Sequence, residues 1–167
     1  MKLLESFYVH RAPVRIGLLF NVDTDPDKNG ENNAAIAFAN AFNYISTNKN
    51  AYDALAFITD VYSKSEDDSE DVDVKDVKET FMDSYGADVK MIDVFGEDSE
   101  YDVGRTLSAD FVSRSGLSDL PQVLMNGVPM EQKFLTGEDF EEQLLTALMK
   151  ETQVKTTYIF EQDQIST

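Results

Sequence analysis

Apolar residues in the first third of the chain change from a continuous run to helical spacing. Residues 13–20 read PVRIGLLF, a short apolar run that predicts a buried strand. Residues 21–33 are polar and acidic, and Asn32 or Asn33 can cap a helix that follows. The apolar positions that then recur at helical spacing are Ala35, Phe38, Phe42 and Ile45. They predict a helix with a single apolar stripe.

Two more helices are predicted between residues 50 and 86. The second helix follows Asn50, and Leu55, Ile58 and Tyr62 share one of its faces. Residues 63–71 are so densely acidic that like charges repel one another, which predicts a solvated loop. The third helix spans about residues 73–85, and Gly86 can end it. Its inward residues are predicted to be Val74, Val77, Phe81 and Tyr85.

The second half of the chain predicts a short strand, a helix, a hairpin and a final helix. The short strand covers residues 89–95, and a helix is predicted over about 97–115. The turn Asn126-Gly127 joins a strand over 120–125 to a return strand from Val128, because Asn and Gly tolerate a positive φ. Pro129 cannot donate to the ladder, so the return strand is expected to lie at an edge or to be bulged there. The final helix starts near Thr136 in a capping-box-like sequence.

The predicted order of elements is that of a thioredoxin-like α/β fold. When residues 51–86 are set aside, the order is β-α-β-α-β-β-α, and a helical insertion at this point is typical of the DsbA-like branch. We therefore predict a central mixed β-sheet flanked by helices, in one domain over residues 1–167. Its parts are a thioredoxin core over 12–50 and 87–150, a helical insertion over 51–86 and a connector over 151–167.

The charge and the lack of sulfur narrow the range of functions. The 167-residue chain has 32 acidic and 14 basic residues, a formal net charge of −18. Nucleic acids and anionic membranes bind clustered Lys and Arg, so neither is an expected partner. The chain has no cysteine, which excludes thiol redox chemistry and thiolate metal sites. The single histidine, His10, is interpreted as a surface residue rather than a catalytic base.

The start of the first long helix lacks the residues of a redox site. Thioredoxin-like enzymes keep a Cys-x-x-Cys pair there, because the helix dipole lowers the pKa of the thiol. The loop before this helix contains no sulfur, and its acidic residues are Asp23, Asp25, Asp27 and Glu31. The same loop matches the first half of a calcium site, D-x-D-x-N-G over 25–30, but Ile36 stands where the bidentate Glu is needed. A polar turn is the favoured interpretation.

Pro121 stands where the other half of a thioredoxin site would lie. A cis X-Pro bond at this point exposes backbone that can pair with an extended peptide. A proline that simply begins a strand gives the same sequence, and the pattern does not decide between the two.

Four pieces of the sequence resemble one family. They are residues 12–20, residues 41–45, Tyr101-Asp102 with Arg105, and LPQVLMNGVP over 120–129. Together they resemble the thioredoxin-like domains of UDP-glucose:glycoprotein glucosyltransferases, over most of residues 12–150. Among the several thioredoxin-like domains of that enzyme, this sequence is most similar to the third.

The resemblance implies a place in the folding-sensor region of an enzyme of the endoplasmic reticulum lumen. That enzyme returns glucose to the N-glycans of misfolded glycoproteins, and its catalytic domain lies elsewhere in the parent chain. No catalytic residue, metal ligand or cofactor is therefore expected in these 167 residues. The implied partners are misfolded glycoproteins and the neighbouring domains of the parent chain.

A sensor of misfolding needs an apolar surface that accepts many sequences. The candidate binding residues beside the predicted proline loop are Leu120, Pro121 and Met130, although each is also compatible with an ordinary core or edge position. One alternative is a calsequestrin-like calcium buffer, which would explain the acidic charge. Another is a DsbA-related glutathione transferase, for which Thr24 is the only hydroxyl in the 21–33 loop.

Overall fold

The computed structural model shows a helical assembly and a short hairpin. It describes residues 17–22, 25–64, 72–86 and 88–103, together with 107, 110–111, 113–114, 123–125, 128–129, 142, 144 and 146. The helices in this part of the chain are α1 (Ala34–Asn48), α2 (Ala51–Lys64), α3 (Val74–Ser84) and α4 (Met91–Phe95). The strands are β1 (Leu124–Met125) and β2 (Val128–Pro129). None of the described helices is long and apolar enough to cross a membrane.

Helix α1 begins where the sequence predicts. The side chain of Asn33 is the N-cap and accepts a hydrogen bond from the Ile36 N–H at 3.1 Å. Phe38 and Ile45 are buried as predicted, but Ala35 is exposed. The buried surface of α1 is wider than one stripe and consists of Ile36, Ala37, Phe38, Ala39, Asn40, Ala41 and Ile45. Its alanines allow neighbouring elements to approach closely, so α1 occupies the centre of the described part.

Helix α2 is present as predicted, but its buried face is rotated. Leu55 and Ile58 are buried, whereas Tyr62 is 62% exposed. The face that packs inward also includes Phe57 and Val61, which the sequence analysis did not select. Phe57 decides the rotation, because its large ring is fully buried between other aromatic rings and its burial removes more apolar area from water.

Helix α3 is present as predicted, with the predicted residues facing the core. Asp73 is the N-cap, and its side chain accepts from the Asp76 N–H at 2.8 Å. Val77 and Phe81 are buried, and Val74 and Tyr85 pack against the core from half-buried positions. The helix ends just before Gly86. A Cβ on Gly86 would lie 2.6 Å from the Met82 Sδ and 2.8 Å from its Cα, so only glycine fits.

The strand predicted over residues 89–95 is wrong, because residues 91–95 form the one-turn helix α4. The Gly96 N–H donates to the Ile92 carbonyl at 2.9 Å and closes this turn, as the predicted break at Gly96 requires. Val94 and Phe95 are adjacent and both buried, which a strand with one inward face would not allow. The helix predicted over 97–115 begins late: residues 97–103 form turns, and the described residues between 107 and 114 are helical.

Aromatic rings connect the helices into one core. Phe57, Phe81 and Phe95 are almost completely buried, and Phe81 makes an edge contact with each of the other two at 6.5 and 5.3 Å between centroids. Tyr44 of α1 contacts Phe81 at 5.3 Å and Tyr101 at 5.2 Å, both in edge geometry. Edge-to-face pairs of this kind add about 0.5–1.5 kcal/mol to the effect of burial. Helices α2 and α3 therefore pack directly on α1.

The predicted hairpin is confirmed. Strands β1 and β2 are antiparallel, with Leu124 opposite Pro129 and Met125 opposite Val128, so two residues connect them. Leu144 is helical and buried, as the final predicted helix requires. The described residues contain this two-stranded sheet and no larger one. The central mixed sheet, the domain boundaries and the connector stay predictions.

Candidate functional site

The loop that replaces the redox pair is folded by its own side chains. The Asp25 Oδ1 accepts from the Asp27 N–H at 3.0 Å, and the Asn29 Oδ1 accepts from the Glu31 N–H at 2.9 Å. The Asn32 Oδ1 accepts from the Asn29 N–H at 3.1 Å. These are the local turns that Asp and Asn form with nearby backbone. Two of the side chains that the calcium motif would use, Asp25 and Asn29, thus accept from the loop backbone instead. The described residues contain no cluster of three potential metal ligands.

The first turn of α1 is closed by a neutral amide. In a redox-active relative, a thiolate would lie at this end of the helix, where the dipole and the free N–H groups stabilise negative charge. Here the Asn33 side chain accepts from one of these N–H groups, the one of Ile36. An amide carries no ionisable proton in the physiological range, so this position cannot supply a nucleophile or a general base.

Gly30 lets the loop lie directly on the end of α4. It is buried, and a Cβ built on it would lie 3.1 Å from the Phe95 carbonyl oxygen and 3.2 Å from the Phe95 Cα. The third neighbour would be the Asn40 Nδ2 at 3.3 Å. That amide nitrogen donates to the Val94 carbonyl at 3.0 Å. The loop, α1 and α4 therefore meet at one tightly packed junction.

Lys78 brings helix α3 to the same junction. Its Nζ donates to the Glu31 carbonyl at 3.1 Å and lies 5.6 Å from the centre of the Phe95 ring. The sequence analysis did not select Lys78, Phe95 or Asn40. Only Asn40 leaves a signal in the sequence, because it is a polar residue within an otherwise apolar stretch of α1, AIAFANAF.

The predicted binding residues Leu120, Pro121 and Met130 all lie outside the described residues. The nearest described position is the start of the hairpin, where Val123 and Leu124 are half-buried. The prediction that Leu120 and Pro121 face the 21–33 loop therefore stays a prediction.

Uncharged apolar and aromatic side chains lie at or near the buried Phe38 ring, and we call them the Phe38 surface; Leu18, Leu19 and Tyr62 are exposed and Phe20 is half-buried. Tyr62 contacts the Phe38 ring at 6.0 Å between centroids, and Phe20 contacts it at 5.4 Å. Leu18 and Leu19 precede Phe20 in the chain and are both exposed. The Phe38 surface consists of Leu18, Leu19, Phe20, Phe38 and Tyr62. None of these five residues carries a charge, so the surface can contact apolar groups.

Tyr85 is the residue whose pKa is shifted among the described residues. Burial raises the pKa of its phenol, and the nearby carboxylates of Asp53 and Asp60 raise it further. The hydroxyl donates to the Asp53 backbone carbonyl at 3.1 Å. A phenol that keeps its proton and donates to a carbonyl has a structural role, since it joins α3 to α2.

These features define a thioredoxin-like domain that lacks the redox pair. The chain matches the thioredoxin-like domain family over residues 1–166, and it belongs to that family. No solved structure matches this chain significantly.

The relatives of this chain are glucosyltransferases of far greater length. It is 39% identical over 158 residues to the UDP-glucose:glycoprotein glucosyltransferase of Drosophila melanogaster. This match covers 91% of this chain and 10% of the relative. It is 32% identical over 149 residues to UDP-glucose:glycoprotein glucosyltransferase 2 of Homo sapiens. This match covers 89% of this chain and 10% of the relative. The chain therefore spans about a tenth of the length of the curated relatives it matches.

Proposed function

We propose that this chain is a non-catalytic domain of the folding-sensor region of a UDP-glucose:glycoprotein glucosyltransferase. The observation that carries the proposal is the similarity along 91% of the chain to a glucosyltransferase of which it covers only 10%. The start of α1 supports the non-catalytic part of the proposal. It is capped by Asn33 and has no sulfur, so thiol–disulfide exchange has no reacting group there. The proposed location is the endoplasmic reticulum lumen, and the domain corresponds to the third thioredoxin-like domain of the parent enzyme.

The proposed contribution of the domain is to contact misfolded N-glycoproteins that the parent enzyme reglucosylates. Misfolded proteins expose apolar segments, and the Phe38 surface offers exposed apolar groups in a chain with a net charge of −18. Apolar contacts supply most of the attraction, while the negative field favours segments with basic flanks. The proposed client segment is therefore an apolar one with Lys or Arg nearby. No cofactor takes part.

NMR titration of the 167-residue chain with a short peptide of interspersed Leu and Lys tests this proposal. A peptide with Ser in place of each Leu has the same charge and serves as the control at physiological ionic strength, where distant charges are screened. We expect the Leu peptide to shift amide signals of residues 18–20 and 62, and the Ser peptide to leave them unchanged. Equal shifts with both peptides would mean that charge alone drives binding and would contradict the proposal.

Two variants locate the binding surface. Tyr62→Ser removes an exposed ring from the Phe38 surface, and Tyr52→Ser is a matched control on the same helix. We expect only Tyr62→Ser to weaken binding of the Leu peptide, by roughly five- to tenfold, because the loss of a contacting aromatic side chain removes about 1 kcal/mol or more. A double variant Leu120→Ser, Met130→Ser tests the predicted proline-loop groove. If only this double variant weakens binding, the groove and not the Phe38 surface contacts the client.

The comparisons do not favour the calsequestrin-like alternative, since the relatives are glucosyltransferases. Within the loop over residues 25–32, the side chains of Asp25, Asn29 and Asn32 also accept hydrogen bonds from the loop's own backbone.

A further inference from the structure

We propose that Met82 is an oxidation site at the end of helix α3, where a peroxide converts the thioether to a sulfoxide and thereby loosens the turn that follows the helix. The chain has six methionines and no cysteine, so all of its sulfur is thioether sulfur. The inference rests on the surroundings of Met82 and is independent of the function proposed above.

The exposure of Met82 makes its side chain accessible to an oxidant. Two methionine side chains lie in the part of the chain that the structure describes, those of Met82 and Met91. Met82 is 40% exposed, whereas Met91 is half-buried and packs against the hydrophobic core. The oxidant must contact the sulfur, so susceptibility follows exposure. We therefore expect a small oxidant to react with Met82 before Met91.

Met82 also covers the backbone at the point where α3 ends. A Cβ built on Gly86 would lie 2.6 Å from the Met82 Sδ, so the sulfur packs directly on this glycine. Gly86 is buried although it lies beyond the last residue of the helix. The Tyr85 N–H donates to the Phe81 carbonyl at 2.8 Å, and the Val89 N–H donates to the Gly86 carbonyl at 3.1 Å. The thioether is thus part of the packing around the turn that ends α3.

The proposed reaction is a two-electron oxygen transfer. A lone pair on the Met82 Sδ attacks one oxygen of hydrogen peroxide, so that an S–O bond forms and the O–O bond breaks. The departing hydroxide takes the proton from the transferred oxygen and leaves as water. The sulfur is oxidised by two electrons and the peroxide is reduced by two, so no other reactant is needed. The product is a polar sulfoxide, which methionine sulfoxide reductases return to the thioether.

The sulfoxide no longer suits the contact with Gly86. A thioether is a weak hydrogen-bond acceptor, whereas the sulfoxide oxygen is strongly polar and needs water or a donor. The space between the sulfur and Gly86 is too small for a Cβ and cannot take this oxygen either. We expect the oxidised side chain to turn towards water and leave Gly86 uncovered. The neighbouring Tyr85, whose hydroxyl donates to the Asp53 carbonyl at 3.1 Å, then loses support at the end of α3.

Oxidation by hydrogen peroxide, followed by peptide mass spectrometry, tests the exposure step on the folded 167-residue chain. We expect Met82 to be oxidised at least about fivefold faster than Met91, because Met82 is the exposed one of the two. The same treatment in concentrated urea is the control, since unfolding exposes both side chains and should bring the two rates within about twofold of each other. Equal rates in the folded chain, or faster oxidation of Met91, would overturn the proposal.

NMR spectra recorded before and after oxidation test the effect on the turn. We expect the amide signals of Gly86 and Tyr85 to shift, those of Ile36 and Ala41 in α1 to stay in place, and a sulfoxide reductase to reverse the shifts. Met82→Leu is the matched control, because it keeps an apolar side chain beside Gly86 and removes the sulfur. Peroxide should leave the Gly86 and Tyr85 signals of this variant unchanged. Shifts that persist in Met82→Leu, or wild-type signals that do not move when Met82 is oxidised, would show that Met82 does not control this turn.

Discussion

Asn40 offers a sharp test of how the junction at the start of α1 is held together. Its side chain is 1% exposed, its Nδ2 donates to the Val94 carbonyl, and its Oδ1 accepts no hydrogen bond from the described residues. Asn40→Asp changes one nitrogen to an oxygen and leaves the shape almost unchanged. It removes the donor, places a carboxylate oxygen against the Val94 carbonyl oxygen, and buries a negative charge.

The magnitude follows from these three effects. The lost hydrogen bond accounts for about 1 kcal/mol. A buried charge without a partner accounts for more, and removing one member of a buried pair typically lowers the free energy of unfolding by about 3–5 kcal/mol. We expect Asn40→Asp to lower the free energy of unfolding by about 3–5 kcal/mol near pH 7. This is a large part of the total for a domain, commonly about 5–15 kcal/mol.

The effect must depend on pH, with a definite sign. Burial without a cation raises the pKa of the new carboxyl group above its unfolded value of about 3.9. A group whose folded pKa is raised contributes its full stability below the unfolded pKa and loses it as the pH rises through the folded pKa. The difference between variant and wild type should therefore be smallest near pH 4, where a protonated carboxyl can again donate to Val94, and largest at neutral pH.

Urea unfolding followed by far-ultraviolet circular dichroism measures this difference at each pH, with wild-type protein as the reference. Asn40→Leu is the control, because it has the same branching and no charge. It loses the donor but also the unpaired oxygen, and the Val94 carbonyl still accepts from the Ser99 hydroxyl at 2.7 Å. We expect Asn40→Leu to change stability much less than Asn40→Asp. A loss in Asn40→Asp that is below about 1 kcal/mol, or the same at all pH values, would refute the reasoning.

Two further predictions concern the aromatic residues. Phe81→Ala leaves a cavity at the centre of the described core and should lower the free energy of unfolding by about 3–5 kcal/mol. Urea unfolding measures this loss, and a loss below about 1 kcal/mol would contradict the packing described. Because its pKa is raised in the folded protein, Tyr85 stabilises the fold at pH below its unfolded pKa of about 10 and loses this effect as the pH rises through the folded value. Tyr85→Phe should therefore lose less stability than wild type between about pH 9 and pH 11, and identical pH profiles would contradict the shift.

The features that sequence predicts best are local ones. The cap at Asn33, the start of α3 near Asp73 and the Asn126-Gly127 turn depend on residues within a few positions of each other. The rotation of α2 could not be predicted in the same way, because Phe57 and Tyr62 compete for the inward position and the ring contacts of Phe57 decide it. The helix α4 was missed because five residues carry too little periodicity to separate a helical turn from a strand.

The junction at the start of α1 could not be predicted for a different reason. Its hydrogen bonds join residues that are 54 and 47 positions apart, namely Asn40 with Val94 and Lys78 with Glu31. The sequence around Lys78 is that of an ordinary amphipathic helix, and nothing in it indicates a carbonyl partner in a distant loop. The loss of the redox pair, in contrast, was certain from the sequence, because a chain without cysteine cannot contain one.

The loss of sulfur and the packing of the loop before α1 are physically connected. A thiolate that exchanges disulfides with partner proteins must stay accessible, so a redox-active domain keeps the start of its first helix open to partners. Once the reacting group is absent, that constraint disappears. The loop can then pack Gly30 on Phe95, and the Glu31 carbonyl can accept a hydrogen bond from Lys78 of α3. Each contact adds stability without blocking a reaction. The Phe38 surface and the predicted Leu120–Pro121 groove are the two positions to test for client binding.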